Sequence, residues 1–175
     1  MPRAMLLRVV QQLSRCDCTR PFDGGGLLLE VHVRNATLTD LEVAVRMLAR
    51  DDSDFVGRED ADYLRNLLYV PSATVIVAES DRRVVGVGVL AIRPSVRSGP
   101  FVGVIDELGT AREPALPAAD QRRVADGIVE QLAASARNKG CTRVEVTDPL
   151  ASAEPSLWKR LGFASRGKTL ERSIA

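Results

Sequence analysis

Apolar residues recur along this chain with two periods, and the change from one to the other lays out the elements. Between Asp120 and Gly140, the residues Val124, Ile128, Val129, Leu132 and Ala136 fall on one side at helical spacing. Arg122, Arg123, Glu130 and Arg137 lie off that stripe, which predicts one long amphipathic helix over Asp120–Lys139. Asp120 is a preferred N-cap, Gly140 stands where a helix turns off, and Arg137 and Lys139 occupy the last turn, where cations complement the dipole. Alternating or β-branched runs predict strands near 28–35, 74–79, 84–92, 101–109, 142–147 and 168–174. Thr39-Asp-Leu-Glu42 reads as a capping box opening a helix through Arg50, and a second helix runs from about Glu59 to Tyr69, ended by Pro71. Ser80-Asp-Arg-Arg83 is the turn of a hairpin, and a last helix closes on Trp158-Lys-Arg-Leu-Gly-Phe163. From 101 to 163 the order is strand, helix, strand, helix, so the 101–109 and 142–147 strands are expected to be parallel, with a right-handed crossover. The fold class that follows is α/β in the wide sense, a mixed α+β arrangement with a central twisted sheet flanked by helices.

The length of 175 residues suits one domain with a single core, here expected at 27–175 behind an N-terminal extension, 1–26, that is helical or disordered. Arg8 interrupts what would be a signal-peptide core, the Arg-rich, acid-poor composition is also that of a transit peptide, and no run reaches the length of a membrane span. Lys plus Arg number 24 and Asp plus Glu 23, which gives no basic footprint for nucleic acid or an anionic membrane, and 4% aromatics supply no stacking platform for bases. Cys16, Cys18 and Cys141 are an odd, sparse set that points to a reducing, cytoplasmic setting. With His32 as the only histidine, no metal site is expected.

Ile105-Asp-Glu-Leu108, the helix ending Ala136-Arg-Asn-Lys-Gly-Cys141 and, above all, Leu157-Trp-Lys-Arg-Leu-Gly-Phe163 resemble the second half of the GNAT superfamily of N-acetyltransferases. The resemblance implies acetyl-CoA as co-substrate. A splayed strand, here Leu108, Gly109 and Thr110, would hold the pantetheine arm, and a phosphate turn at the helix start would hold the pyrophosphate. Register from Gly140 puts that turn on Asp120–Ala125, so Arg122, Arg123, Val124 and Ala125 are its candidate residues, with Arg123 on the first glycine position. The rival register over Arg122–Gly127 would force Glu130 into the core. The tyrosine that reprotonates the leaving thiolate in the family falls on Trp158, which has no titratable proton.

Glu107 matches the family's frequent base position and Asp106 precedes it. Strand alternation places the two on opposite faces, and Gly109 is consistent with a bulge that exposes backbone. An ion pair or rim charge explains either carboxylate as well. The activity implied is acetyl transfer to a primary amine of a small molecule or peptide, with a homodimer as one possible assembly and no nucleic-acid or membrane partner. The alternatives are a catalytically impaired module that binds acyl-CoA or a protein partner, and a pure interaction domain with its N-terminal helix as the contact.

Overall fold

The computed structural model describes residues 30–48, 58–95, 100–111, 116–166 and 169–174. The N-terminal extension, the start of the first expected strand and the Arg50–Phe55 loop lie outside the described residues.

The strands are β1 (His32–Asn35), β2 (Ala73–Ser80), β3 (Arg83–Pro94), β4 (Phe101–Thr110), β5 (Arg143–Val146), β6 (Ala164–Arg166) and β7 (Thr169–Ser173). They form one sheet in the order β1-β2-β3-β4-β5-β7-β6, antiparallel throughout except for the expected parallel pairing of β4 with β5. β6 is an addition to the six strands read from the sequence. The β2–β3 turn places Asp81 and Arg82 at φ 48° and 63°, a left-handed conformation that costs a side-chain-bearing residue energy. Arg82→Gly should therefore stabilise the protein by roughly 0.5–1 kcal/mol, the relieved strain less the entropy glycine adds to the unfolded chain. The check is a higher denaturation midpoint at an unchanged m-value.

Helices α1 (Leu41–Leu48) and α2 (Arg58–Leu67) cover one face of the sheet. Leu41, Ala44, Val45 and Leu64 meet Val75, Val77, Val87 and Val89 there. The capping box at the entry to α1 sits two residues earlier than expected. Thr37 caps a short 3-10 turn, Leu38–Asp40, and the Asp40 carboxylate accepts the Thr37 N–H at 2.7 Å. Asp40 wins over Glu42 because Arg34 binds it as well, at 2.7 and 3.0 Å, and holds its pKa down to about 2.

Helix α3 (Ala118–Asn138) covers the other face, joined there by α4 (Asp148–Ala153) and α5 (Pro155–Arg160). The predicted stripe holds: Val124, Ile128, Val129, Leu132 and Ala136 are all fully buried, while Glu130 is exposed and bonded to Arg172 at 2.8 Å. The predicted start does not. Pro117 is the N-cap and Asp120 lies in the first turn, where its charge still favours the dipole. The period-two glycines of β3 are there for α3. A Cβ on Gly86 would stand 2.5 Å from Val124 Cγ1, and one on Gly88 would stand 2.5 Å from Ile128 Cγ2. Gly140, at φ 80°, ends α3 in a Schellman turn, in which Cys141 N–H donates to the Ala136 carbonyl at 3.0 Å. Gly162 does the same for α5, also at φ 80°, and Phe163 N–H donates to the Trp158 carbonyl at 2.9 Å. That turn throws the Phe163 ring back against the Trp158 indole, edge to face, with centroids 5.2 Å apart. The single last helix expected from sequence is thus two, divided where Pro155 opens α5. Among the described residues no helix is long and apolar enough to cross a membrane.

Candidate active site

The parallel ladder between β4 and β5 is short. It joins Gly103 to Val144, Val104 to Glu145 and Ile105 to Val146, and then β5 ends and Thr147 leads into α4. β4 continues to Thr110, paired among the described residues only with β3. From Asp106 onward, the backbone groups of β4 that point away from β3 therefore face the gap left by β5. The Thr147 N–H to the Ile105 carbonyl (3.2 Å) and the Thr147 hydroxyl to the Asp106 carbonyl (3.4 Å) close the crotch of the split.

The β3–β4 pairing slips at that crotch. Val89 faces Glu107 and Leu90 faces Ile105, so Asp106 is the extra residue of a β-bulge. The bulge lies three residues before Gly109, where the sequence suggested it. Gly109 is small for another reason: a Cβ there would come within 2.7 Å of the Met47 carbonyl oxygen of α1. The bulge also cancels the alternation on which opposite faces for Asp106 and Glu107 rested. Ile105 and Leu108 both pack toward α3, and Glu107 pairs with Val89, a residue of the α1 face, so both carboxylates fall on the α1 side. Asp106 is half-buried, and among the described residues its carboxylate accepts no hydrogen bond. Burial pushes its pKa up, against an opposing pull from the charge of Arg93.

On the α3 side the gap opens into a cleft of about 310 Å³. It brings together six residues singled out in the sequence: Leu108, Gly109, Thr110, Arg122, Ala125 and Trp158. Two others do not border it. Val124 is turned into the core over Gly86, and Arg123 lies on the exposed side of α3 with its guanidinium 3.8 Å from Asp120. Asp106 and Glu107 do not line it either. The lining residues missed are Ala118, Gln121, Leu150, Ala153, Glu154 and Leu157. Ala118 and Gln121 share a helical face with Arg122 and Ala125, so the period alone would have found Gln121, and Ala118 as well had the helix been started there.

The phosphate turn implied by the resemblance is not a turn. Asp120–Ala125 is already helical, and the Asp120 and Gln121 N–H groups both donate to the Pro117 carbonyl at 2.9 Å. From Arg122 onward each N–H bonds within the helix, which leaves those of Ala118 and Ala119 outside the helix's own bonding. Arg122 is exposed at the cleft and is its one lining cation among the described residues. Trp158, 1% exposed, donates its indole N–H to the Leu150 carbonyl at 2.8 Å and so forms the apolar wall of the cleft.

The profile of the Acetyltransferase (GNAT) family matches residues 41–163, more than half of the chain. Among solved structures, a transcriptional regulator from Bacillus halodurans C-125 superposes with a TM-score of 0.65 at 22% identity, over 79% of this chain and 95% of its own. An aminoglycoside N-acetyltransferase in complex with CoA gives 0.64 at 20% identity, over 79% and 91%. A predicted acetyltransferase with acetyl-CoA from Clostridium acetobutylicum gives 0.61 at 16% identity, over 78% and 92%. At these identities the likeness is one of fold. No curated protein matches the chain.

Proposed function

Because the chain belongs to the acetyltransferase (GNAT) family, we propose that it transfers an acetyl group from acetyl-CoA to a primary amine of a small molecule or peptide. The observation that carries this reading is the edge of β4 beyond Asp106, which has no second strand beside it among the described residues and opens onto the cleft between α3 and α5. An extended chain of amides, such as a pantetheine arm, can add to such an edge as a strand does. Leu108, Gly109 and Thr110 would hold the arm, Arg122 and the α3 N-terminus would take the pyrophosphate, and Leu157 and Trp158 would exclude water. Acetyl-CoA supplies the acetyl group activated as a thioester.

Asp106 acts as the base. An acceptor amine enters as ammonium and must lose a proton before its lone pair can attack. A carboxylate held above its ordinary range by burial takes that proton better than an exposed one. The N–C bond then forms as the C–S bond breaks, the nitrogen gives up its second proton to solvent, and the thiolate takes one from solvent, since Trp158 has no titratable proton. Activity is thus lost as the pH falls through the raised pKa of Asp106. Glu107, on the same side of β4, is the second candidate for the role.

The alternative, a binding module without catalysis, is favoured by two observations: the helical state of Asp120–Ala125 and the indole in the acid's place. The experiment that separates the two is calorimetric titration with acetyl-CoA, coenzyme A and a nucleotide control, alongside thiol release over a panel of amines. Binding without release from any amine supports the module. No binding sinks both readings.

The two arginines of the helix start make opposite predictions. Arg122→Gln should weaken acetyl-CoA by about 1.5–3 kcal/mol, the range of a charge-assisted contact. Arg123→Gly, which restores the family's glycine, should leave affinity unchanged because Arg123 does not border the cleft. Equal effects of the two changes in the same titration would overturn this placement of the phosphates.

A further inference from the structure

The face of the sheet that α1 and α2 cover changes character beyond β4. Over β2 and β3 it is apolar, with Val75, Val77, Val87 and Val89 against α1 and α2. Next to it the register brings charged residues together. Gly103 turns toward Ala136 of α3, so Val102 and Val104 face the other way, and with them go Arg93, paired with Val102, and Glu145, paired with Val104. Glu145 is buried, and its two oxygens are shared by two guanidinium groups. Arg143 donates to one of them at 2.9 and 2.6 Å, and Arg93 donates through Nη2 to the other. Asp106, in its bulge, is the next carboxylate along β4 on this side.

Arg93 is the unusual member of this row. Its side chain is 59% exposed, and among the described residues one of its five N–H donors is engaged, on Glu145. The Glu145 contact anchors the tip of Arg93, so further donors stand toward solvent in a fixed direction. Asp106 has the reverse character, a half-buried carboxylate to which no described residue donates a hydrogen bond. One two-residue step of strand, roughly 7 Å, separates the Glu145 row from Asp106. The row thus offers an anion acceptor and a cation acceptor a short distance apart.

We propose that this row is the acceptor subsite and that it selects a small amine which also carries a carboxylate, the ammonium placed at Asp106 and the carboxylate on the free donors of Arg93. The inference rests on the acetyltransferase reading for its chemistry, but the pairing of charges is a binding property and can be tested without turnover. Arg93 acts here as a specificity residue. It touches the far end of the acceptor and takes no part in the bond changes.

The test is calorimetric titration of the full chain with short amino acids that differ in the spacing of amine and carboxylate, each beside its carboxamide, which keeps the amine and removes the anion. The expected result is that at least one amino acid binds tenfold or more tightly than its amide, and that Arg93→Gln erases the difference while the melting temperature stays within a few degrees. Arg93→Lys should restore part of it, since the charge remains but the fork does not. Equal binding of acid and amide, no effect of Arg93→Gln, or no binding of any pair would overturn the proposal. Thiol release on the same pairs then addresses the other reading. A rise in KM with kcat held for Arg93→Gln supports both, whereas preferential binding without release supports the subsite and sinks the transferase.

Discussion

Asp106→Asn should lower acetyl transfer by about 10²–10⁴-fold, the usual worth of a positioned base, with the affinity for acetyl-CoA unchanged. The amide keeps the shape of the side chain and removes only its ability to hold the amine's proton. In wild type, the log of kcat/KM should rise with pH up to a pKa above the ordinary aspartate range and then level off. The variant should lose that limb. Stability should move the other way. A carboxyl whose pKa is raised on folding contributes stability fully below its unfolded pKa, and that contribution is lost as the pH climbs through the folded value. At neutral pH the charged Asp106 is therefore a burden, and Asp106→Asn should melt higher than wild type, with the gap closing in acid. A variant that loses activity and melts lower would point instead to a structural role. If Glu107→Gln were the silent-rate variant while Asp106→Asn stayed active, the base would be Glu107.

Trp158→Ala should cost about 3–5 kcal/mol, the range for a large buried aromatic. For a domain of this size that is a fall of roughly 6–20 °C in melting temperature. Two losses combine: the cavity left under α5, and a Leu150 carbonyl stripped of the indole N–H that holds α4 to α5 at 2.8 Å. Trp158→Phe keeps a ring against Phe163 but gives up the hydrogen bond and the smaller part of the buried volume, so it should cost less than Trp158→Ala, about 1–3 kcal/mol. A change of less than 1 kcal/mol for Trp158→Ala would mean that the cleft wall is not held by this residue.

The elements legible in the sequence are those with a period. The α3 stripe could be read because Val124, Ile128, Val129, Leu132 and Ala136 repeat with the helix, and that repeat also rejected the register that buried Glu130. The parallel β4–β5 pair followed from connectivity alone. What could not be read has no period. β6 is three residues, Ala164–Arg166, at a sheet edge with little apolar content. The Asp106 bulge is a slip between two strands, and neither strand records it in its own residues. Gly109 carried a real signal, but its cause is a backbone oxygen of Met47, far away in sequence. The start of α3 was misplaced because Asp120 is the better cap by preference, whereas Pro117 fixes the entry by its rigid φ. The same two residues' difference hid Ala118 from the candidate site.

The brevity of the β4–β5 ladder bears on how the molecule comes apart. Three residue pairs, with one further backbone bond at either end, tie the four strands that begin the sheet to the three that finish it. Along the remainder of the seam the halves are joined by side chains, chiefly Trp158, Leu157 and Phe163 against the underside of α3 and the Arg160–Asp126 and Arg172–Glu130 ion pairs. Such a sheet need not unfold as a unit. The amides of β5–β7 can trade their hydrogens with solvent through a partial opening that leaves β1–β4 and α3 closed, at a free energy below that of global unfolding. A ligand lying in the split would touch both halves, and its clearest mark on the molecule would be slower exchange in the C-terminal strands.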